Sequence, residues 1–199
     1  MRGINADLSK MDKKGFASIR DGFGDVDKIK NIEAIMGTNF ADTMKGSKGV
    51  NVFQGLGGND TLNGGKGSDW IVFWKNNDYI DSGYTGGDGK VIIDLVAGTI
   101  TDGLGGTDTI SLIENASGSK FDDTMTGNGA KNEFEGQGGD DTLSGGANDD
   151  RLEGQDGDDT LDGGTGDDEL SGGDGNDTMT GGADADTFVF HEAPDATTN

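Results

Sequence analysis

The sequence predicts an all-β chain wound as a solenoid of short parallel strands, and three observations predict it. Between Gly136 and Val189 the chain counts in nines: GQGGDDTLS, GGANDDRLE, GQDGDDTLD, GGTGDDELS, GGDGNDTMT and GGADADTFV. In each unit the first place is glycine, the sixth is aspartate (Asp141, Asp150, Asp159, Asp168, Asp177, Asp186) and the eighth is apolar (Leu143, Leu152, Leu161, Leu170, Met179, Phe188). The third observation is a longer repeat. Sliding the chain by about 81 residues aligns Gly22 to Val72 with Gly103 to Glu153, without a gap and with about half the positions identical.

Each place in the nonapeptide has a structural reason. A solenoid needs sharp corners, and glycine takes the left-handed backbone angles that corners demand. The six residues of GGxGxD make the corner, and three more, such as Thr160-Leu161-Asp162, make a short strand whose middle side chain points opposite to its neighbours. Leu161 is therefore expected inside, with Thr160 and Asp162 outside. Two nonapeptides complete one coil, so corners two repeats apart stack on the same edge. Asp141, Asp159 and Asp177 share one edge; Asp150, Asp168 and Asp186 share the other.

Earlier in the chain, Ile4 to Leu8 reads as a weaker first strand, followed by a lysine-bearing loop. GTNFADTMK from Gly37 and GSKGVNVFQ from Gly46 put Asp42 and Asn51 at the sixth place; GLGGNDTLN from Gly55 and GGKGSDWIV from Gly64 put Asp60 and Asp69 there. A degraded FWKNNDYID follows, with Asp78. From Ser82 to Ser117 no complete nonapeptide is read, and the segment is taken as degenerate coils with β-branched strands at Val91 to Leu95 and Thr109 to Ile113. The chain thus divides into a first module over 1–81, linking coils over 82–117, a second repeat block over 118–190 and a tail over 191–199.

Composition narrows the function. Lys+Arg number 15 and Asp+Glu 38, a net charge of −23 on 199 residues of which only 30% are hydrophobic. Such a chain repels itself and lacks the apolar content of an ordinary globule, so its order depends on bound ions. Nucleic acid is excluded as a partner, because phosphates attract Lys and Arg. With no cysteine there is neither disulfide nor thiolate chemistry. No apolar run approaches the roughly twenty residues of a membrane span, and Met1 to Gly15 lacks the apolar stretch of a signal peptide.

Carboxylates in register with glycine corners are cation ligands. Between stacked corners two aspartates face one ion, and carbonyls exposed by the glycine turns complete a shell made only of oxygen. Such a shell suits calcium; magnesium demands stricter octahedral geometry, and zinc wants His or Cys, of which the chain offers His191 alone.

Other features carry less. The pair Asp122-Asp123 reads as a solvated acidic surface. Trp70, Phe73, Trp74, Tyr79 and Tyr84 read as core or coil-capping residues, with a sugar-stacking platform as the alternative. His191-Glu192 lacks the second histidine of a zinc-protease helix, Asp25-Val26-Asp27 lacks the sixth-place glycine of an EF-hand loop, and Asn115-Ala116-Ser117 is a chance-level glycosylation acceptor. No serine or cysteine nucleophile can borrow a histidine base within the modules, so no catalytic constellation is present and the chain is read as a non-enzyme.

The nonapeptide resembles the calcium-binding repeat of RTX proteins, the haemolysin-type repeats of bacterial proteins exported by type I secretion. ENASGSKFDDTMTGN is similar to the linking segment that precedes such repeats in adhesins, adenylate cyclase toxins and mannuronan epimerases. The resemblance implies a right-handed parallel β-roll or β-helix with several calcium ions in its turns. It places side-chain ligands at Asp60, Asp69, Asp141, Asp150, Asp159, Asp168, Asp177 and Asp186, and carbonyl ligands at second and fourth places such as Gly157, Gly164, Gly166, Gly173 and Gly175. Gln137 and Gln155 depart from glycine at the second place without removing a carbonyl. Asn148 is a mild departure at the fourth, and Asp184 implies a frayed last turn.

By the same resemblance the chain is secreted or on the bacterial cell surface and folds on calcium after export, as a structural or adhesion spacer. The alternative is the accessory module of a secreted epimerase, protease or lipase, in contact with polysaccharide. Thr187-Phe188-Val189-Phe190 resembles the last strand of the family's repeats. Family members usually carry a longer export signal after it, which implies a fragment of a larger protein.

Overall fold

A computed structural model describes residues 2–73, 89–103 and 106–190, and every element in them is a strand. β1 (Asn5–Asp7), β2 (Ala17–Arg20) and β3 (Val26–Ile29) open the chain, and β4 (Ala34–Thr38), β5 (Thr43–Lys45), β6 (Val52–Leu56), β7 (Thr61–Asn63) and β8 (Trp70–Val72) build the first coils. β9 (Ile92–Asp94), β10 (Thr99–Thr101), β11 (Thr107–Ser111) and β12 (Asn115–Ser117) come from the linking segment. β13 (Thr124–Thr126), β14 (Glu133–Gly138), β15 (Thr142–Ala147), β16 (Arg151–Asp156), β17 (Thr160–Thr165), β18 (Glu169–Asp174), β19 (Thr178–Ala183) and β20 (Thr187–Val189) complete the stack.

Strands from successive nonapeptides go to opposite sheets, which makes a coil of two repeats. One sheet has 12 strands in the order β19-β17-β15-β13-β9-β10-β11-β7-β5-β1-β2-β3; the other has 8, in the order β20-β18-β16-β14-β12-β8-β6-β4. Pairing within the repeats is parallel, with Leu143 beside Leu161 and Leu161 beside Met179 in one sheet. Phe134, Leu152, Leu170 and Phe188 line up in the other. The body is therefore a parallel β-solenoid.

The eighth-place side chains fill the space between the sheets. Phe53, Leu62, Ile71, Met125, Phe134, Leu143, Leu152, Leu161 and Leu170 are fully buried, each contributing about 1.5 to 3 kcal/mol of transfer free energy. Thr160 and Asp162 face outward, as the strand alternation requires. The column fades at the last strands: Met179 is half-buried and Phe188 is 42% exposed, because no further described coil covers it.

Two features differ from the expectation. In β14 to β19 the strands run six residues, not three, because ladder pairing continues through the first places of the corner, as Gly146 with Gly164 and Ala147 with Thr165. The roll is also interrupted. β11 lies parallel to β7 and β9 parallel to β13, but β10 runs antiparallel to both β9 and β11. A second antiparallel meander, β1-β2-β3, closes the start of the same sheet.

Phe73 packs against the core and Trp70 is half-buried; Asp78, Trp74, Tyr79, Tyr84 and His191 lie outside the described residues. Asn115, Ala116 and Ser117 form a fully buried strand, where a glycan would not fit. Among the described residues no helix is long and apolar enough to cross a membrane.

Candidate metal centre

Each sixth-place carboxylate turns back into the edge of the roll. Its Oδ1 accepts the backbone N–H of the sixth-place residue one coil earlier, as Asp123 N–H to Asp141 Oδ1 (2.7 Å), Asp141 N–H to Asp159 (2.8 Å) and Asp159 N–H to Asp177 (3.0 Å). On the other edge Asn132 donates to Asp150 (2.7 Å), Asp150 to Asp168 (2.7 Å) and Asp168 to Asp186 (3.1 Å). The first module repeats the pattern with Asp42 to Asp60 (2.8 Å) and Asn51 to Asp69 (2.7 Å). The structure thus sorts the aspartates onto two edges as their period implies.

The second oxygen sets the chemistry. Oδ2 of Asp60, Asp69, Asp141, Asp150, Asp159 and Asp168 is buried and accepts no hydrogen bond. An ionised carboxylate in that position is strongly disfavoured unless a cation meets it. Burial, reinforced by neighbouring carboxylates, pushes Asp141 up to about 8, Asp60 to about 7 and Asp150 to about 6, and raises Asp69, Asp159 and Asp168. Lys131 opposes the rise at Asp150.

The first-place glycine makes room for this oxygen. A methyl group on Gly163 would lie 2.5 Å from Asp168 Oδ2 and 2.6 Å from the carbonyl oxygen of Gly181 in the next coil. A carboxylate and a carbonyl from stacked corners therefore face one space that only glycine leaves open. The donors there are all oxygen, which fits calcium. Among the described residues no three acidic or histidine side chains converge on one point, so backbone carbonyls must supply the rest of any shell.

At the second and fourth places Gly157, Gly164, Gly166, Gly173 and Gly175 have φ of +143°, +104°, +127°, +116° and +136°. Gln137 (+83°), Asn148 (+70°), Gln155 (+79°) and Asp184 (+82°) adopt the same left-handed backbone. The turn at Asp184 is not frayed. It keeps the Asp168 to Asp186 bond and a second one from Ala185 N–H to Asp167 Oδ1 (2.9 Å), so the corner's stacking holds a non-glycine residue in place.

The structure brings four further acids onto the edges. Asp42 and Asp123 are buried and in phase; Asp123 accepts Val91 N–H at 2.7 Å. Asp123 is therefore no solvated surface residue, although Asp122 beside it is exposed. The signal was GSKFDDTMT from Gly118, whose sixth place is Asp123. Asp108 accepts Asp60 N–H at 2.8 Å and continues the first edge. Its segment, GLGGTDTIS from Gly103, repeats GLGGNDTLN from Gly55 but stands three residues out of phase, so the linking segment does hold a nonapeptide. Glu114 accepts Asp69 N–H at 2.9 Å on the second edge; the 81-residue repeat pairs it with Glu33, but it holds no sixth place of a nonapeptide.

Comparison with known families decides what this ladder is. The model of the RTX calcium-binding nonapeptide repeat, in its four-copy form, matches residues 36–71, 117–152 and 153–188, more than half of the chain. The chain belongs to this family. No curated protein matches it. RTX repeats bind calcium, and the buried, partnerless Oδ2 atoms are where this RTX chain's own residues fit that ion. The matched segments leave out Asp108 and Glu114, so the ladder extends beyond the recognisable repeats.

Proposed function

We propose that this RTX module folds on calcium after leaving the cell and then serves as a structural or adhesion spacer in a secreted bacterial protein. The observation that carries the reading is the set of six buried carboxylate oxygens without a partner. With a net charge of −23, the calcium-free chain repels itself along both edges and stays extended, a state suited to threading through a type I exporter. Extracellular calcium modules bind at about 10⁻⁴ to 10⁻³ M, so the ion is taken up outside rather than in the cytoplasm.

In the folded form Asp60, Asp69, Asp141, Asp150, Asp159, Asp168, Asp177 and Asp186 would hold the ions through their carboxylates. Second- and fourth-place carbonyls, as at Gly157, Gly164, Gly166, Gly173 and Gly175, would add further oxygens. Bound calcium supplies positive charge between stacked corners, which makes binding free energy part of folding free energy. The spacer role draws on the sheets: corners link roughly eight coils, one for each strand of the 8-stranded sheet, and the parallel ladder joins each coil to its neighbours.

Far-UV circular dichroism during a calcium titration tests the reading. The expected result is a disordered spectrum without calcium and a cooperative gain of β-structure on addition. A calcium-free chain already rich in β-structure at neutral pH would overturn it.

A further inference from the structure

Charge is divided unevenly along this acidic chain. Residues 1–50 hold nine of the 15 Lys and Arg but only seven of the 38 Asp and Glu, whereas residues 132–190 hold Arg151 alone against 18 acids. The fold lines the early lysines up on the second edge. Lys48 and Lys66 take the third place of the corners that end at Asn51 and Asp69, and Lys30 stands 18 residues before Lys48 in the turn from β3 to β4. These corners stack, since Lys66 N–H donates to the Ser47 carbonyl at 3.3 Å and Asn51 Nδ2 to the Glu33 carbonyl at 3.3 Å. All three lysines are exposed, and none is ion-paired among the described residues. Lys30 is anchored by a hydrogen bond from its Nζ to the Lys14 carbonyl at 3.0 Å.

Beside the lysines the same corners expose apolar surface. Their fifth-place positions are Ile32, Val50 and Ser68, of which Ile32 and Val50 are exposed, and a cleft of about 140 Å³ lined by Leu8, Met11, Ile29 and Ile32 opens next to Lys30. Glu33 is the one exposed acid in these turns. The first edge of the second block has the opposite character. Asp156 and Asp174 hold third places and pair across β16 and β18, and Asp140 and Asp158 hold fifth places; all four are exposed. The fifth-place row is fixed by the backbone, with Asp158 N–H on Asp140 Oδ1 at 3.0 Å and Asn176 N–H on Asp158 Oδ1 at 2.8 Å. Both rows repeat once per coil, at the strand spacing of about 4.8 Å, so lysines of successive coils can meet carboxylates of successive coils in register.

We propose that the Lys30, Lys48 and Lys66 edge docks a second copy of this chain, which presents its row of Asp140, Asp156, Asp158 and Asp174. The two surfaces lie on opposite edges of the roll. One contact therefore leaves the other surface of each copy free, and the association is head-to-tail and open rather than a closed dimer. Copies of net charge −23 repel one another at a distance. At about 0.15 M salt that repulsion is screened beyond about 8 Å, while charges in contact still act.

Sedimentation equilibrium of the full chain in saturating calcium and about 0.15 M salt tests this, with circular dichroism reading the fold of each sample separately. The average mass of the parent should rise with concentration and pass beyond a dimer. The double variant Lys48→Glu with Lys66→Glu should associate about tenfold more weakly or less, and so should Asp156→Lys with Asp174→Lys, because like charges then face each other. An equimolar mixture of the two variants should regain association, since the reversed rows complement one another; a loss caused by misfolding would not be rescued in this way. A parent that stays monomeric at every concentration would overturn the proposal, as would variants that associate like the parent. A monomeric parent retained on immobilised alginate through Lys48 and Lys66 would also overturn it and assign the edge to an acidic polysaccharide.

Discussion

The strictly periodic coils over Gly136 to Val189 and the junction over 89–117 carry the same edge ladder by different means. In the periodic coils each carboxylate arrives every nine residues, and its bond to the previous coil follows from an 18-residue coil with no exception. At the junction the same bonds span 48 residues, Asp60 to Asp108, and 45 residues, Asp69 to Glu114. The difference teaches that stacking geometry, rather than the repeat itself, selects the carboxylate. Any acid delivered to the stacked corner by a strand in register completes the ladder.

The largest expected effect breaks the periodic side. Leu161→Ala removes a side chain that is 1% exposed between two coils, and should cost about 2 to 5 kcal/mol in unfolding at saturating calcium. A negligible shift of the denaturation midpoint would place the side chain outside the core. Next comes the ladder. Asp159→Ala leaves the buried Asp141 N–H without its acceptor and strips carboxylates from two stacked intervals, at about 1 to 3 kcal/mol for the unpaired N–H alone. Asp186→Ala, at the end of its edge, should lose less calcium affinity. Equal losses in calcium titrations of the two variants would contradict the stacking scheme.

Acid sharpens the comparison, because both regions hold carboxylates raised by burial. Asp141 (about 8) and Asp60 (about 7) lie above the unfolded value of about 3.9. The calcium-free fold therefore binds more protons than the unfolded chain. Its proton-linked stability is fully present below about pH 4 and is lost as pH rises through about 6 to 8. Calcium-free chain should gain β-structure on acidification, while calcium affinity rises with pH over the same window, since the ion displaces protons. Affinity independent of pH there would show that these carboxylates are not ligands.

The smallest effect concerns the second place. Gln155 holds φ of +79°, so Gln155→Gly should stabilise the calcium-loaded fold by about 1 kcal/mol. Gln137, at +83°, donates hydrogen bonds to Ser117 Oγ (3.0 Å) and Glu135 Oε2 (3.1 Å), and its replacement by glycine should gain less. Thermal midpoints of the two variants in the same calcium concentration make the test.

Much of this was legible in the residues. The eighth-place column is buried through Leu170, and the alternate edges follow from counting, because a fixed coil length converts sequence period into spatial register. Asp123 was equally legible but hidden by its neighbour Asp122, since a pair of acids reads as surface until phase separates the buried member from the exposed one. Asp108 was masked by a three-residue slip that the count of nine does not tolerate. Glu114 showed only its match with Glu33 in the longer repeat, which says nothing of the ladder; the Asp69 N–H one coil away identifies its place there.

The sequence by itself determined the solenoid, its two-repeat coil, its inward apolar column and the oxygen chemistry of its corners, because each depends on a local period and local backbone freedom. Only the tertiary structure decided that β10 reverses against its neighbours and that Asp108 and Glu114 meet the edges. It also showed that in Asp60, Asp69, Asp141, Asp150, Asp159 and Asp168 one oxygen is hydrogen-bonded while the other accepts no hydrogen bond. Those outcomes depend on which strands stack across tens of residues, where no period runs and only the unsatisfied N–H groups of one coil and the acids of the next select the pairing.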